Sequence, residues 1–242
     1  MEGRTALVTG AARGIGEAIA RAFAARRANV IVADVDPDGA AAVAASLGER
    51  ALAVTLDVRD RTSFERCFAA AVERFRRVDV LVNNAARTIP RPLWEIEQDE
   101  WDDVLAVNLR GVFFGCQIAG APMREAGWGR IVNLASIAGH QPGAMGAHYA
   151  ASKAGIVIVT KMFAAELAAW GVTVNAVAPA AVRTPAFDVV PPDRLEALRQ
   201  RIPVGRFGEP HEVAELVAFL ASDEAGYITG ATWDINGGLF MR

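Results

Sequence analysis

Short apolar runs recur along this chain, separated by longer segments in which apolar residues return every three or four positions. The runs lie near 5–9, 29–33, 51–56, 78–82, 130–135, 172–177 and 231–235, and most are apolar at successive rather than alternate positions. A strand of that kind is buried on both faces, the pattern of a parallel sheet covered by helices on each side. The intervening segments read as those helices. Strand and helix in alternation predict a doubly wound α/β fold, in which ligands gather beyond the carboxyl ends of the strands. No repeat or low-complexity linker divides the chain, so one domain over residues 1–242 is expected.

One segment interrupts the alternation. From 185 to 203 the chain carries Pro185, Pro191, Pro192 and Pro203 around a short helical pattern, Asp193 to Arg201. Such a stretch suits a mobile lid over a ligand.

Composition narrows the function classes. Hydrophobic residues make up 52% of the chain, enough for a sizeable core, and the net charge of −3 offers no footprint for nucleic acid. Cys67 and Cys116 stand far apart without paired Cys or His spacing, which argues against metal and for reduced thiols in the cytoplasm. Met1 leads directly into a strand-like run without the pattern of an export signal, and Gly, Pro or charged residues break the apolar runs before membrane-spanning length.

Two groups of residues carry chemistry. At the end of the first strand stands Thr9 Gly10 Ala11 Ala12 Arg13 Gly14 Ile15 Gly16, opening a helical run. Gly10 permits a tight turn, Gly14 lets the backbone approach a pyrophosphate, and Gly16 allows close packing, with the helix N-terminus facing the phosphates. Asp34 closes the second strand about 20 residues later, where an acid binds the ribose hydroxyls of a dinucleotide. A 2′-phosphate about 4 Å from that carboxylate would cost on the order of 4 kcal/mol, so NAD is favoured, while Arg13 keeps NADP possible.

The second group is Ser136, Tyr149 and Lys153. The chain holds only two tyrosines and two lysines, and one of each stands four residues apart, on one face if the stretch is helical. An ammonium near a phenol favours the phenolate and makes it a usable acid or base, and Ser136 would hydrogen-bond the reacting oxygen.

Together these motifs resemble the classical short-chain dehydrogenase/reductase family over nearly the whole chain. The family's glycine motif is matched by Thr9, Gly10, Gly14, Ile15 and Gly16, its adenine-contacting pair by Asp57 and Val58, and its Asn-Asn-Ala-Gly motif by Asn83, Asn84, Ala85 and Ala86. The resemblance implies a seven-stranded parallel sheet in the order 3-2-1-4-5-6-7 and a catalytic tetrad of Asn108, Ser136, Tyr149 and Lys153. Tyr149 would exchange the proton with an alcohol or carbonyl oxygen oriented by Ser136. Lys153 would hold the nicotinamide ribose and lower the phenol's pKa, and Asn108 would support a water linking the lysine to solvent. Arg13, Asn84 and Ala85 would line the cofactor. Val182 and Thr184, after Pro179, would bind the carboxamide. Ala86 and Ala180 stand where the family carries glycine.

The substrate walls expected from this resemblance are Ser136, Ala138, His140, Gln141, Met145, Tyr149, Phe187 and Val189. The expected activity is NAD-linked interconversion of a secondary alcohol and a ketone, on a small alcohol, polyol, sugar or hydroxyacyl compound. The alternatives are a 3-oxoacyl-[acyl-carrier-protein] reductase using NADPH and a non-catalytic NAD-binding regulator. Carrier-docking reductases are expected to show basic residues before the fifth strand and at the end of the tyrosine-bearing helix. Here those places read Glu125 to Trp128 and Ala169 to Gly171, with Arg124 and Arg130 nearby. Trp128 and Trp170 are expected to form an apolar patch near the pocket mouth. Broad apolar faces on the helices around 99–126 and 149–170 predict a homotetramer, with the tail Gly237 to Arg242 near a neighbouring subunit.

Overall fold

Seven strands, β1 (Thr5–Thr9), β2 (Asn29–Asp34), β3 (Ala51–Thr55), β4 (Val80–Asn83), β5 (Gly129–Leu134), β6 (Val172–Pro179) and β7 (Thr232–Ile235), pair in parallel in the order β3-β2-β1-β4-β5-β6-β7. This is the arrangement expected from the sequence, with strand ends moved by one or two residues. The computed structural model describes residues 1–143, 145–188 and 190–241, and of Ala186 only the backbone. Val189, expected in the substrate wall, lies outside the described residues.

Burial on both faces explains the unbroken apolar runs. Along β1, Ala6 and Val8 face one helical layer and Leu7 the other; along β2, Val30 and Val32 oppose Ile31 in the same way. Helices α1 (Gly14–Ala25), α2 (Pro37–Leu47) and α8 (Pro210–Leu220) close the first face with Ile19, Phe23, Val43, Val217 and Leu220. Helices α3 (Arg61–Phe75), α5 (Gly111–Ala126) and α6 (Ala147–Leu167) close the second with Phe64, Met123 and Ile156. The helix starts carry their own signals. Asp36 accepts from Gly39 N with Pro37 following it, Asp60 accepts from Thr62 N and Ser63 N, and Glu209 and Glu212 form a reciprocal capping box.

Helix α4 (Gln98–Leu105) runs into α5 through a π turn at Ala106–Arg110, which sequence periodicity did not indicate. The continuous rod Gln98–Ala126 has the length and hydropathy of a bilayer span, yet half of that apolar window is buried within the fold, as in a core helix. Cys67 and Cys116 are free and buried, and burial pushes both thiols up to about 12. Cys116 lies beside a buried polar chain in which Asn83 Nδ2 donates to Asn133 Oδ1 at 2.8 Å and Asn133 Nδ2 to Thr160 Oγ1 at 2.9 Å. That chain ties the ends of β4 and β5 to α6.

The expected Trp128 and Trp170 patch is corrected by the topology. Both residues stand at the amino-terminal ends of β5 and β6, the edge of a parallel sheet opposite the carboxyl ends where Thr9, Asn83 and Leu134 lie. The guanidinium groups of Arg4 and Arg130 lie over the Trp128 ring at 3.4 and 4.4 Å from its centre, and the indole N–H donates to Asp223. Trp170 is half-exposed beneath Arg124.

Candidate active site

The β1–α1 turn is built for close approach. A Cβ on Gly16 would stand 2.1 Å from the Gly10 carbonyl oxygen, and one on Gly10 would stand 2.7 Å from Ala85 Cα. Both neighbours are backbone, so neither position tolerates a side chain without moving the turn. Thr9 and Asn84 lock this geometry. Thr9 Oγ1 accepts from Asn84 N and Ala85 N at 3.0 and 3.1 Å, while Asn84 Nδ2 donates to the Thr9 and Gly10 carbonyls at 2.9 Å each. The start of α1 carries no side-chain cap, which leaves its first amides available to an anion. Thr184 faces this turn: its methyl lies 3.6 Å from where a Gly14 Cβ would be.

Asp34 sits half-buried beside the same turn, its Oδ2 accepting from Ala12 N at 2.9 Å and its Oδ1 from Asp36 N at 3.0 Å. Arg13, in the glycine turn, is exposed. Glycine cradle, uncapped helix and oriented carboxylate fit a dinucleotide: the Gly14 and Ile15 amides suit the pyrophosphate and Asp34 a ribose. Asp57 and Val58 have other partners within the protein. Arg59 binds the Asp57 carboxylate through its guanidinium and backbone N–H and holds that carboxyl below its ordinary range, and Val58 is buried against Gly111. Val182 is buried, with Arg183 N donating to the Gly208 carbonyl just after it. Ala86 and Ala180 cause no backbone strain. Among the described residues only Arg27 and Arg76 are non-glycine positions with positive φ.

The structure brings Ser136, Tyr149 and Lys153 together. Ser136 begins a 3₁₀ turn at Ile137–Gly139, where its Oγ accepts from Ala138 N at 3.1 Å. The Ser136 and Thr88 side chains stand near enough to the Tyr149 phenol to favour its ionised form. One turn along α6, Lys153 is buried with Nζ 5.6 Å from the Tyr149 ring centre, donating to the Leu134 carbonyl at 2.6 Å. Burial dominates both ionisations. It raises the Tyr149 pKa against the opposing effect of the two hydroxyls, and pushes Lys153 down to about 7. An ammonium-stabilised phenolate was expected from the spacing. Burial instead moves the two pKa values apart from that expectation, the phenol upward and the amine downward.

Asn108, fully buried in the π turn, acts as a clamp. Its Oδ1 accepts from Arg87 N at 2.7 Å, and its Nδ2 donates to the Arg87 carbonyl at 3.0 Å and to Ser152 Oγ at 3.1 Å. Ser152 Oγ in turn donates to the Tyr149 carbonyl at 2.7 Å. Ser152 and Thr88 also adjoin this cluster and were not expected from the sequence; only the proximity of Ser152 to Tyr149 in an expected helix could have signalled the first. His148 was missed as well. It is fully buried, with its ring 2.5 Å from where a Gly146 Cβ would stand, so the φ of +89° at Gly146 and the ring beside it both demand glycine.

The expected substrate walls divide. Ala138 adjoins Ser136, whereas the His140 ring stacks on Phe240 of the tail at 5.9 Å and the Phe187 ring meets Phe207 edge-on at 5.0 Å. Gln141 and Met145 are half-buried in the β5–α6 connection.

Comparison with known proteins adds relatives of full length. A family profile described as "Enoyl-(Acyl carrier protein) reductase" matches residues 10–240. The chain is 42% identical over 241 residues to "3-oxoacyl-[acyl-carrier-protein] reductase FabG" of Vibrio cholerae, covering 100% of this chain and 99% of that protein. It is 41% identical over 240 residues to the protein of that name from Escherichia coli, covering 99% and 98%, and 41% identical over 244 residues to that of Thermotoga maritima, covering 100% and 99%.

Proposed function

Because the chain belongs to the classical short-chain dehydrogenase/reductase family, and is thus an NAD(P)-dependent oxidoreductase acting on CH–OH groups, we propose that it reduces 3-oxoacyl thioesters to 3-hydroxyacyl thioesters with NADH. The motifs alone put small alcohols, polyols and sugars first; full-length relatives named as 3-oxoacyl reductases support the reverse order. The observation that carries the proposal is the gathering of Ser136, Tyr149 and Lys153 at the carboxyl end of β5. A ketone oxygen becoming an alcohol needs a proton donor within hydrogen-bond reach, and a phenol, protonated at neutral pH, can supply that proton.

Held by the glycine turn and Asp34, a reduced nicotinamide dinucleotide would supply the hydride. Ser136 donates its hydroxyl proton as a hydrogen bond to the substrate carbonyl, orienting it, and Tyr149 transfers its phenolic proton to that oxygen as the hydroxyl forms. Lys153, protonated when the phenolate appears, stabilises the new charge across the 5.6 Å to the ring. Asn108 and Ser152 hold the turn of α6 that carries Tyr149. Val182 and Thr184 would orient the carboxamide, and segment 185–203 serves as the lid; its helix α7 (Pro192–Gln200) has no buried residue.

Asp34 supports NADH over NADPH by the repulsion a 2′-phosphate would meet. Arg124 stacks over Trp170 and Arg130 is buried beneath Trp128, so the basic residues near the two expected docking positions are already engaged. Acetoacetyl-coenzyme A is therefore expected to serve without a protein carrier. Steady-state assays should give kcat/KM about tenfold or more higher with NADH than with NADPH. Preference for NADPH would overturn the cofactor reading, and turnover of polyols but not of 3-oxoacyl thioesters would overturn the substrate reading.

The proposal includes a cytoplasmic homotetramer. Of the expected apolar faces, Val104 and Ile156 are core, but Phe113, Ile158 and Met162 remain exposed on α5 and α6, with Phe113 against Phe163 at 5.7 Å. Such a patch on two adjacent helices suits a second copy of the chain. Size-exclusion chromatography with light scattering is expected to give four times the chain mass; a concentration-independent monomer would refute this assembly.

A further inference from the structure

Ser136 has more to do than one hydroxyl allows. Its Oγ already accepts from Ala138 N, and its single proton can be given to one acceptor at a time. During reduction two oxygens need a donor together: the substrate oxygen gaining a proton and the Tyr149 oxygen losing one. A proton given by Ser136 to the first is withheld from the second.

The β4–α4 loop brings a second hydroxyl to the phenol. Thr88 lies exposed on that loop, its side chain near enough to Tyr149 to favour the ionised phenol. The residue before it is fixed from two sides. Asn108 grips both the N–H and the carbonyl of Arg87, and the Arg87 guanidinium pairs at 2.5 Å with Asp103, which also binds Arg59. The same Asn108 amide reaches Ser152 and, through it, the Tyr149 main chain. One buried side chain thus sets the loop and the phenol-bearing turn in register, leaving Thr88 a single residue of slack.

We propose that Thr88 is a positioning residue for proton transfer, donating its hydroxyl hydrogen bond to the Tyr149 oxygen while Ser136 serves the substrate oxygen, with Asn108 and Arg87 as the clamp that aims it. The proton balance is complete: the phenolic proton passes to the substrate oxygen, Thr88 keeps its own, and the phenolate is stabilised until solvent reprotonates it. The proposal rests on Tyr149 being the proton carrier.

Thr88→Val keeps the side-chain shape and removes the donor; Thr88→Ser keeps the donor. In the intact enzyme, with 3-hydroxybutyryl-coenzyme A oxidation followed across pH, Thr88→Val is expected to lower kcat about tenfold with KM within about twofold. It should also move the apparent pKa of the rising limb upward by roughly half to one unit, because the phenolate loses a hydrogen bond. Thr88→Ser is expected to restore both values. A Thr88→Val enzyme with the parent kcat and pH profile would refute the role of Thr88, provided that Tyr149→Phe is inactive. Turnover retained by Tyr149→Phe would instead remove the underlying reading of Tyr149, and this proposal with it.

Discussion

Tyr149→Phe is expected to lower kcat for 3-oxoacyl thioester reduction by about 10³-fold or more while the protein stays folded and binds the dinucleotide with a dissociation constant within about twofold of the parent. Phenylalanine fills the same space on α6 and removes only the oxygen that carries the proton. The Ser136 and Thr88 hydroxyls lose a partner but stay hydrated, since Ser136 is half-buried and Thr88 exposed. Binding is spared because the glycine turn, Asp34 and the α1 N-terminus depend on Thr9 and Asn84 rather than on Tyr149. The measurement is stopped-flow loss of reduced-nicotinamide absorbance beside a fluorescence titration of the nucleotide. Residual turnover above about a tenth of the parent rate would assign the proton to another group.

Lys153→Met is expected to affect both catalysis and stability. Turnover should fall at least about 10²-fold, since the charge that stabilises the phenolate is gone. The stability effect has a definite sign. The folded-state pKa of about 7 lies below the ordinary lysine value of 10.5, so between those pH values the unfolded chain holds more protons than the native one. Stability therefore rises with pH across that window, and below about pH 7 the full cost of burying the ammonium is present. The difference between the two proteins should amount to on the order of 3 kcal/mol over this range, reduced from the full shift because the Leu134 carbonyl hydrogen-bonds the amine. Urea unfolding of the ligand-free parent should show the rise from pH 7 to 10, and Lys153→Met should lack it. Parallel pH dependences in the two proteins would show that Lys153 is not desolvated as the geometry requires.

The alternation of buried strands with amphipathic helices and the glycine turn closed by Asp34 were legible because each depends on short-range chemistry. Ile31 must be apolar between two helical layers, and Gly16 must be glycine against the Gly10 carbonyl. The four-residue spacing of Tyr149 and Lys153 likewise needed only helical geometry. The placement of Trp128 and Trp170 failed for a topological reason: adjacency to strands says nothing about which end of the sheet a loop occupies. The ionisation of the pair also escaped the sequence, because a spacing reports proximity and not dielectric.

By itself, then, the order of residues determined the strand and helix pattern and the glycine turn after β1, and it singled out the side chains proposed to react, all from interactions within a few positions of the chain. Only the tertiary structure decided that Asn108 grips Arg87, that the β4–α4 loop thereby lies against the turn carrying Tyr149, and that burial raises the Tyr149 pKa and lowers that of Lys153. Those outcomes depend on segments 21 to 61 residues apart closing over one another and excluding water, and no local pattern records that.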